Sequence, residues 1–152
     1  MTYFMRFIYA SGGPLTLGDV QSALQADDPL YTILGDAADP EKSGDLMRGE
    51  DVYGEIELNS GTEVVFREDI QELLEDIEGS EEIAAPAVRR HLESALGMVV
   101  LRVGEFGHIY AERLDALWDW LFETRGGLLQ VDGEGYYDIE RLILPVESGE
   151  DD

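Results

Sequence analysis

The sequence predicts an α+β fold: a single domain over residues 1–146, with one antiparallel-rich sheet and helices packed on one side. Three observations carry that expectation. Short alternating runs rich in β-branched and aromatic residues recur between turn signals, as strands do. Between them lie stretches with apolar residues at i, i+3, i+4 and i+7, the stripe of an amphipathic helix. At 152 residues, 44% of them apolar, the chain is long enough to bury one ordinary core.

The elements follow in order. Tyr3 to Tyr9 alternates as a strand, and because Phe4 and Ile8 are apolar as well as Met5 and Phe7, both of its faces are expected to be covered. Ser11 to Pro14 is a loop. Thr16, with Asp19 three residues on, starts a helix whose stripe is Leu17, Val20 and Leu24. Leu30 to Leu34 is a short strand, and the polar stretch from Gly35 to about Glu50 reads as a long surface loop. Val52 to Leu58 alternates with Tyr53, Glu55 and Glu57, a strand with one wet face.

A helix pair over residues 66–96 comes next. Ile70, Leu73, Leu74 and Ile77 share one face of the first helix, and the opposite face carries Glu68, Asp69, Glu72, Glu75, Asp76 and Glu78. The second opens at Pro86 and turns Val88, Leu92 and Leu96 inward; the simplest home for Arg89 and Arg90 is the acidic flank of the helix before it. Met98 to Val103 is a buried strand. Gly107 to Thr124 is a helix with Leu114, Leu117, Trp118, Leu121 and Phe122 inward, closed by Gly126-Gly127. Leu128 to Val131, a Gly-rich turn, and Tyr137 to Leu144 finish the domain, and residues 147–152 form an acidic tail expected to be disordered.

Strand, helix, strand, strand thus occurs on both sides of the helix pair, in half-repeats 1–60 and 97–146. Leu30-Tyr31-Thr32-Ile33-Leu34-Gly35-Asp36 lies over Leu128-Leu129-Gln130-Val131-Asp132-Gly133-Glu134 without a gap, and the same offset sets Val20 over Trp118 and Leu24 over Phe122. In element order this resembles the tandem βαββ units of gyrase-inhibitor-like effector-binding domains. That resemblance implies a groove between the halves for a small ligand or a partner protein.

Charge sets the functional class. Thirty-four acidic residues against ten basic ones give −24, and Lys42 is the one lysine. Such a surface repels phosphates and anionic headgroups, so neither direct nucleic-acid binding nor membrane binding is expected; basic protein surfaces and small-molecule ligands remain. With no cysteine, disulfides and thiolate chemistry are excluded. The first residues lack a basic leader, and no apolar run approaches the ~20 residues that span a bilayer, so a soluble cytoplasmic protein is expected.

The leading expectation is a non-enzymatic binding module for a protein partner or small ligand. Trp120 lies off the apolar stripe of its helix and is a candidate contact residue, as tryptophan often is at interfaces. A narrower alternative is a nucleic-acid mimic in which Glu68, Glu72, Glu75 and Asp76 stand in for phosphates against a basic protein. Two chemical alternatives exist. Asp39, Glu41, Ser43 and Asp45 with Gly44 and Glu50 resemble the twelve-residue calcium loop of EF-hands, although Glu41 is long, Pro40 stiff and the exiting helix absent. His108 near Glu105 would suit general acid–base work in a hydrolase-like enzyme, with no nucleophile nominated.

Overall fold

Two central strands organise the molecule, and the apolar side chains on both of their faces explain why. The structure, a computed structural model, describes residues 3–103 and 114–146. β1 (Tyr3–Tyr9) pairs with β5 (Gly97–Val103) on one side and β6 (Gly127–Val131) on the other. Around them β2 (Tyr31–Gly35), β3 (Ser43–Arg48), β4 (Asp51–Ser60), β7 (Gly135–Tyr137) and β8 (Leu142–Pro145) complete an eight-stranded sheet. Its order is β2-β3-β4-β5-β1-β6-β7-β8, and every neighbouring pair is antiparallel.

Because successive side chains in a strand point to opposite faces, β1 feeds two cores. Met5, Phe7 and Tyr9 join Val99, Leu101 and Leu129 under α1 (Leu17–Asp27) and the helix we number α4 (Asp115–Thr124). Ile8 joins Met98, Val100 and Tyr136 under α2 (Val64–Ile77) and α3 (Ala85–Glu93). The expectation of helices on one side therefore describes α1 and α4 alone. The helix pair takes the opposite face, because Phe4, Ile8, Met98 and Val100 leave an apolar surface there that water would otherwise meet.

Local chemistry fixes the ends. Thr16 Oγ1 accepts the Asp19 amide and Asp19 returns the bond to the Thr16 amide, both at 3.1 Å, the reciprocal cap read from the sequence. The stretch from Gly35 to Glu50 is not one loop: it contains β3, turned into β4 by a two-residue hairpin led by Gly49 at φ +61°. At a bulge, Leu46 faces Gly54 while Met47 faces Val52, so Tyr53 is extra and turns its ring inward, edge-on to Tyr31. Gly54 beside it admits no side chain, since a Cβ would sit 2.4 Å from the Arg102 carbonyl. The expected last strand, Tyr137 to Leu144, is also two. Asp138 Oδ1 accepts the amides of Glu140 and Arg141, each at 2.8 Å, and bends the chain between β7 and β8.

The order βαβββ stands on both sides of the helix pair, but the sheet does not confirm a duplicated unit. After α1 the first half fills the sheet from its edge inward, β2 to β4, whereas after α4 the second runs outward, β6 to β8. Arg89 and Arg90 correct another expectation. Both are exposed, and the ion pairs among the described residues do not include them. Turning Val88 and Leu92 inward carries Arg90 to the far side of α3, by the ~100° each helical residue turns. No helix among the described residues is long and apolar enough to cross a membrane.

Candidate functional site: an aromatic groove rimmed by carboxylates

At the end of the sheet where β1 begins, α4 and the strands border a groove of about 390 Å³. Helical spacing aligns Asp115, Trp118, Asp119 and Phe122 along its near wall, at i, i+3, i+4 and i+7. Met5, Leu129 and Val131 form the floor, from the sheet face that α4 covers. Tyr3 and Tyr137 stand as further aromatic walls, and Glu134 with the turn from Asp138 to Arg141 closes the far side.

The rim is strongly negative. Asp115, Asp119, Glu134, Asp138 and Glu140 face it against one cation, Arg141. A second cleft continues past the start of α4, sharing Asp115 and Asp119 and adding Asp27 and Asp28 beside Arg48. Arg48 Nε donates to Asp28 at 2.7 Å there.

Glu134 organises the aromatic walls. It accepts the Tyr137 hydroxyl, and that bond, followed by partial burial, pushes the Tyr137 pKa up to about 12. Burial, then the charge of Glu134, raises Tyr3 as well. Both rings therefore stay neutral at any physiological pH and offer the negative face of an aromatic ring to a cation. Trp118 is 4% exposed, and its Nε1 is a buried donor without a hydrogen-bond partner among the described residues. Donors left in this state are costly, and a native one calls for an explanation.

The residues singled out by sequence fall elsewhere. Trp120 is half-buried over α1, with the Arg125 guanidinium 5.8 Å from its ring centre. It lines a shallow hollow with Asp19, Ser22 and Ala23, not the groove. Glu68, Glu72, Glu75 and Asp76 are exposed on α2, on the opposite face of the sheet from the groove. Asp39 and Glu41 lie before β3, Ser43 and Asp45 within it, and Glu50 in the hairpin beyond it. An extended strand separates the two ends of that calcium-loop pattern instead of wrapping them round an ion. No group of three His, Cys, Asp or Glu among the described residues is arranged to hold a metal. His108 and Glu105 lie outside the described residues.

Sequence reasoning missed the groove because it assigned Trp118 and Phe122 to the core stripe, which both also serve. One signal was present: Asp115 and Asp119 flank Trp118 on the same helical face, an acidic pair beside an indole. No family model, curated protein or solved structure matches this chain. The likeness to gyrase-inhibitor-like domains thus rests on element order, and it carries no ligand and no residue across.

Proposed function

We propose that the chain is a non-enzymatic binding module whose α4 groove receives a basic segment of a protein partner. The observation that carries this reading is the coincidence of aromatic walls with a rim of five carboxylates against one arginine. An arginine or lysine side chain would lie over the rings and meet the carboxylates. The second cleft extends the acidic track for a neighbouring basic residue.

The test is titration of a short arginine-containing peptide, followed by tryptophan fluorescence and calorimetry. Trp118→Phe and Asp119→Asn should each weaken binding about 5- to 30-fold, equivalent to about 1–2 kcal/mol. Trp120→Phe should leave it unchanged. Equal affinity in all three variants would overturn the assignment.

A second reading is mimicry of nucleic acid by α2, favoured by the exposed positions of Glu68, Glu72, Glu75 and Asp76 along its outer side. It differs in its prediction: Glu68→Lys with Glu75→Lys should abolish capture of a basic protein at low salt, and the groove variants should not.

A further inference from the structure

β2 and β8 are the two edges of the sheet. Pro145 lies in β8 and removes a donor from that edge. β2 has neither proline nor charge: its residues are Tyr31, Thr32, Ile33, Leu34 and Gly35. Such an edge is a template for another strand.

Its backbone is nevertheless occupied, and from an unusual direction. The Gly49 amide bonds the Leu30 carbonyl and the Asp36 amide bonds the Ser43 carbonyl, so even-numbered residues of this segment face β3. Alternation then turns the amides and carbonyls of Tyr31, Ile33 and Gly35 outward. Two side chains one turn apart on α1 reach them. Gln25 Nε2 donates to the Tyr31 carbonyl at 2.9 Å, and Gln21 Oε1 accepts the Ile33 amide at 2.8 Å.

We propose that the outer edge of β2 is a self-association surface held shut by Gln21 and Gln25, and that its occupant, once they are withdrawn, is β2 of a second copy. An antiparallel pairing centred on Ile33 would exchange two bonds between the two Ile33 residues and let each Gly35 amide donate to the Tyr31 carbonyl opposite, while the Tyr31 amide stays on the Asp28 carbonyl 3.1 Å away. The Ile33 amide and Tyr31 carbonyl that the glutamines hold are groups this ladder would use. Self-pairing is favoured over a charged partner strand because β2 is uncharged throughout, with Leu34 58% and Leu30 53% exposed beside it. The net charge of −24 on each copy opposes the approach, so the contact should strengthen as salt screens that repulsion.

The experiment compares wild type with Gln21→Ala/Gln25→Ala by sedimentation at about 0.05 M and about 1 M NaCl, where the screening length falls from more than 10 Å to ~3 Å. Wild type should stay a single copy at both. The double variant should dimerise, at least tenfold more tightly at high salt, and Ile33→Pro added to it should restore the single copy. Proline at 33 removes an outward amide and spares the bonds to β3. Hydrogen exchange at Ile33 should be fast in the monomeric double variant and slow in its dimer, a reversal that mere loosening of α1 would not give. The idea is overturned by a cooperatively melting double variant that remains monomeric at 1 M, by a dimer that Ile33→Pro leaves intact, or by a wild type that already pairs through β2. If the alanines prevent folding, Gln21→Met/Gln25→Met retains the bulk without the bonds, and the same outcomes decide.

Discussion

The two faces of the sheet handle the same excess of carboxylates differently. On the α2/α3 face the acids mostly stay in water and an arginine goes inside. Arg6 has a side chain 16% exposed, donates to Gln130 at 2.7 Å and Asp132 at 3.0 Å, and lies 4.9 Å from the Phe4 ring centre. Its Nε and the Tyr136 hydroxyl are buried without partners among the described residues. Burial first, then Asp76, drives the Tyr136 pKa far above that of ordinary tyrosine. On the α1/α4 face Arg48 stays more open, its side chain 29% exposed against Asp28, and other carboxylates gather at the mouth of an aromatic groove. One face has made its charge part of the packing; the other has left charge where a visitor could complete it.

The comparison breaks most directly at the cores. Leu121→Ala under α4 and Leu92→Ala under α3 should each cost about 2–5 kcal/mol in urea unfolding, with coincident transitions by different probes. A variant that melts one layer ahead of the other would show that the faces are not one cooperative unit.

Arg6→Met comes next. It keeps the apolar stem but strands Gln130 and Asp132, and should cost about 1–3 kcal/mol, the range for leaving partly buried polar groups unmatched. Loss of less than half that would place the network outside the stability of the α2/α3 face.

Acidity sharpens the contrast through two carboxylates near the start of α2. Burial, opposed by Arg6, raises the Asp69 pKa above its usual 3.8. Folding therefore favours its protonated form, and the penalty for ionising it grows as pH rises from below 3.8 through the folded value. Asp69→Asn should raise the melting temperature near neutrality, and the gain should vanish in acid. The hydrogen bond from Lys42, 2.8 Å away, lowers Glu63 below its usual 4.5. Its stabilisation is present above 4.5 and lost as pH falls through the folded value, so Glu63→Gln should lower the melting temperature near neutrality and converge with wild type in acid. A shared rise would contradict the Glu63 assignment, and a shared fall the Asp69 assignment.

The smallest effect should be Trp118→Phe. It deletes a donor that has no partner among the described residues and trims a buried ring, so stability should fall by about 1 kcal/mol while peptide binding falls. A large loss of stability would mean that the indole N–H already serves the fold.

Legibility followed the strength of local pattern. β1, β5, α1 and the helix pair were readable because periodicity and the Thr16–Asp19 cap act over a few residues. β3 was not, since Ser43 to Arg48 contains only Leu46 and Met47 as apolar residues and owes its extended form to β2 and β4 on either side. The groove was half legible: its near wall is a helical spacing, but Tyr3, Glu134 and Tyr137 reach it only because β1 and β6 pair and β7 follows.

By itself the sequence determined the acidic surface, the α+β class and the faces that each helix would bury, because composition and short-range periodicity are properties of neighbours along the chain. Tertiary structure alone decided that the helix pair would cover the far face of the sheet, that the two halves would fill it in opposite directions, and that Gln21 and Gln25 would close its edge. Those outcomes depend on which strands meet. That choice is made by burying two apolar faces at once, over separations that no local pattern spans.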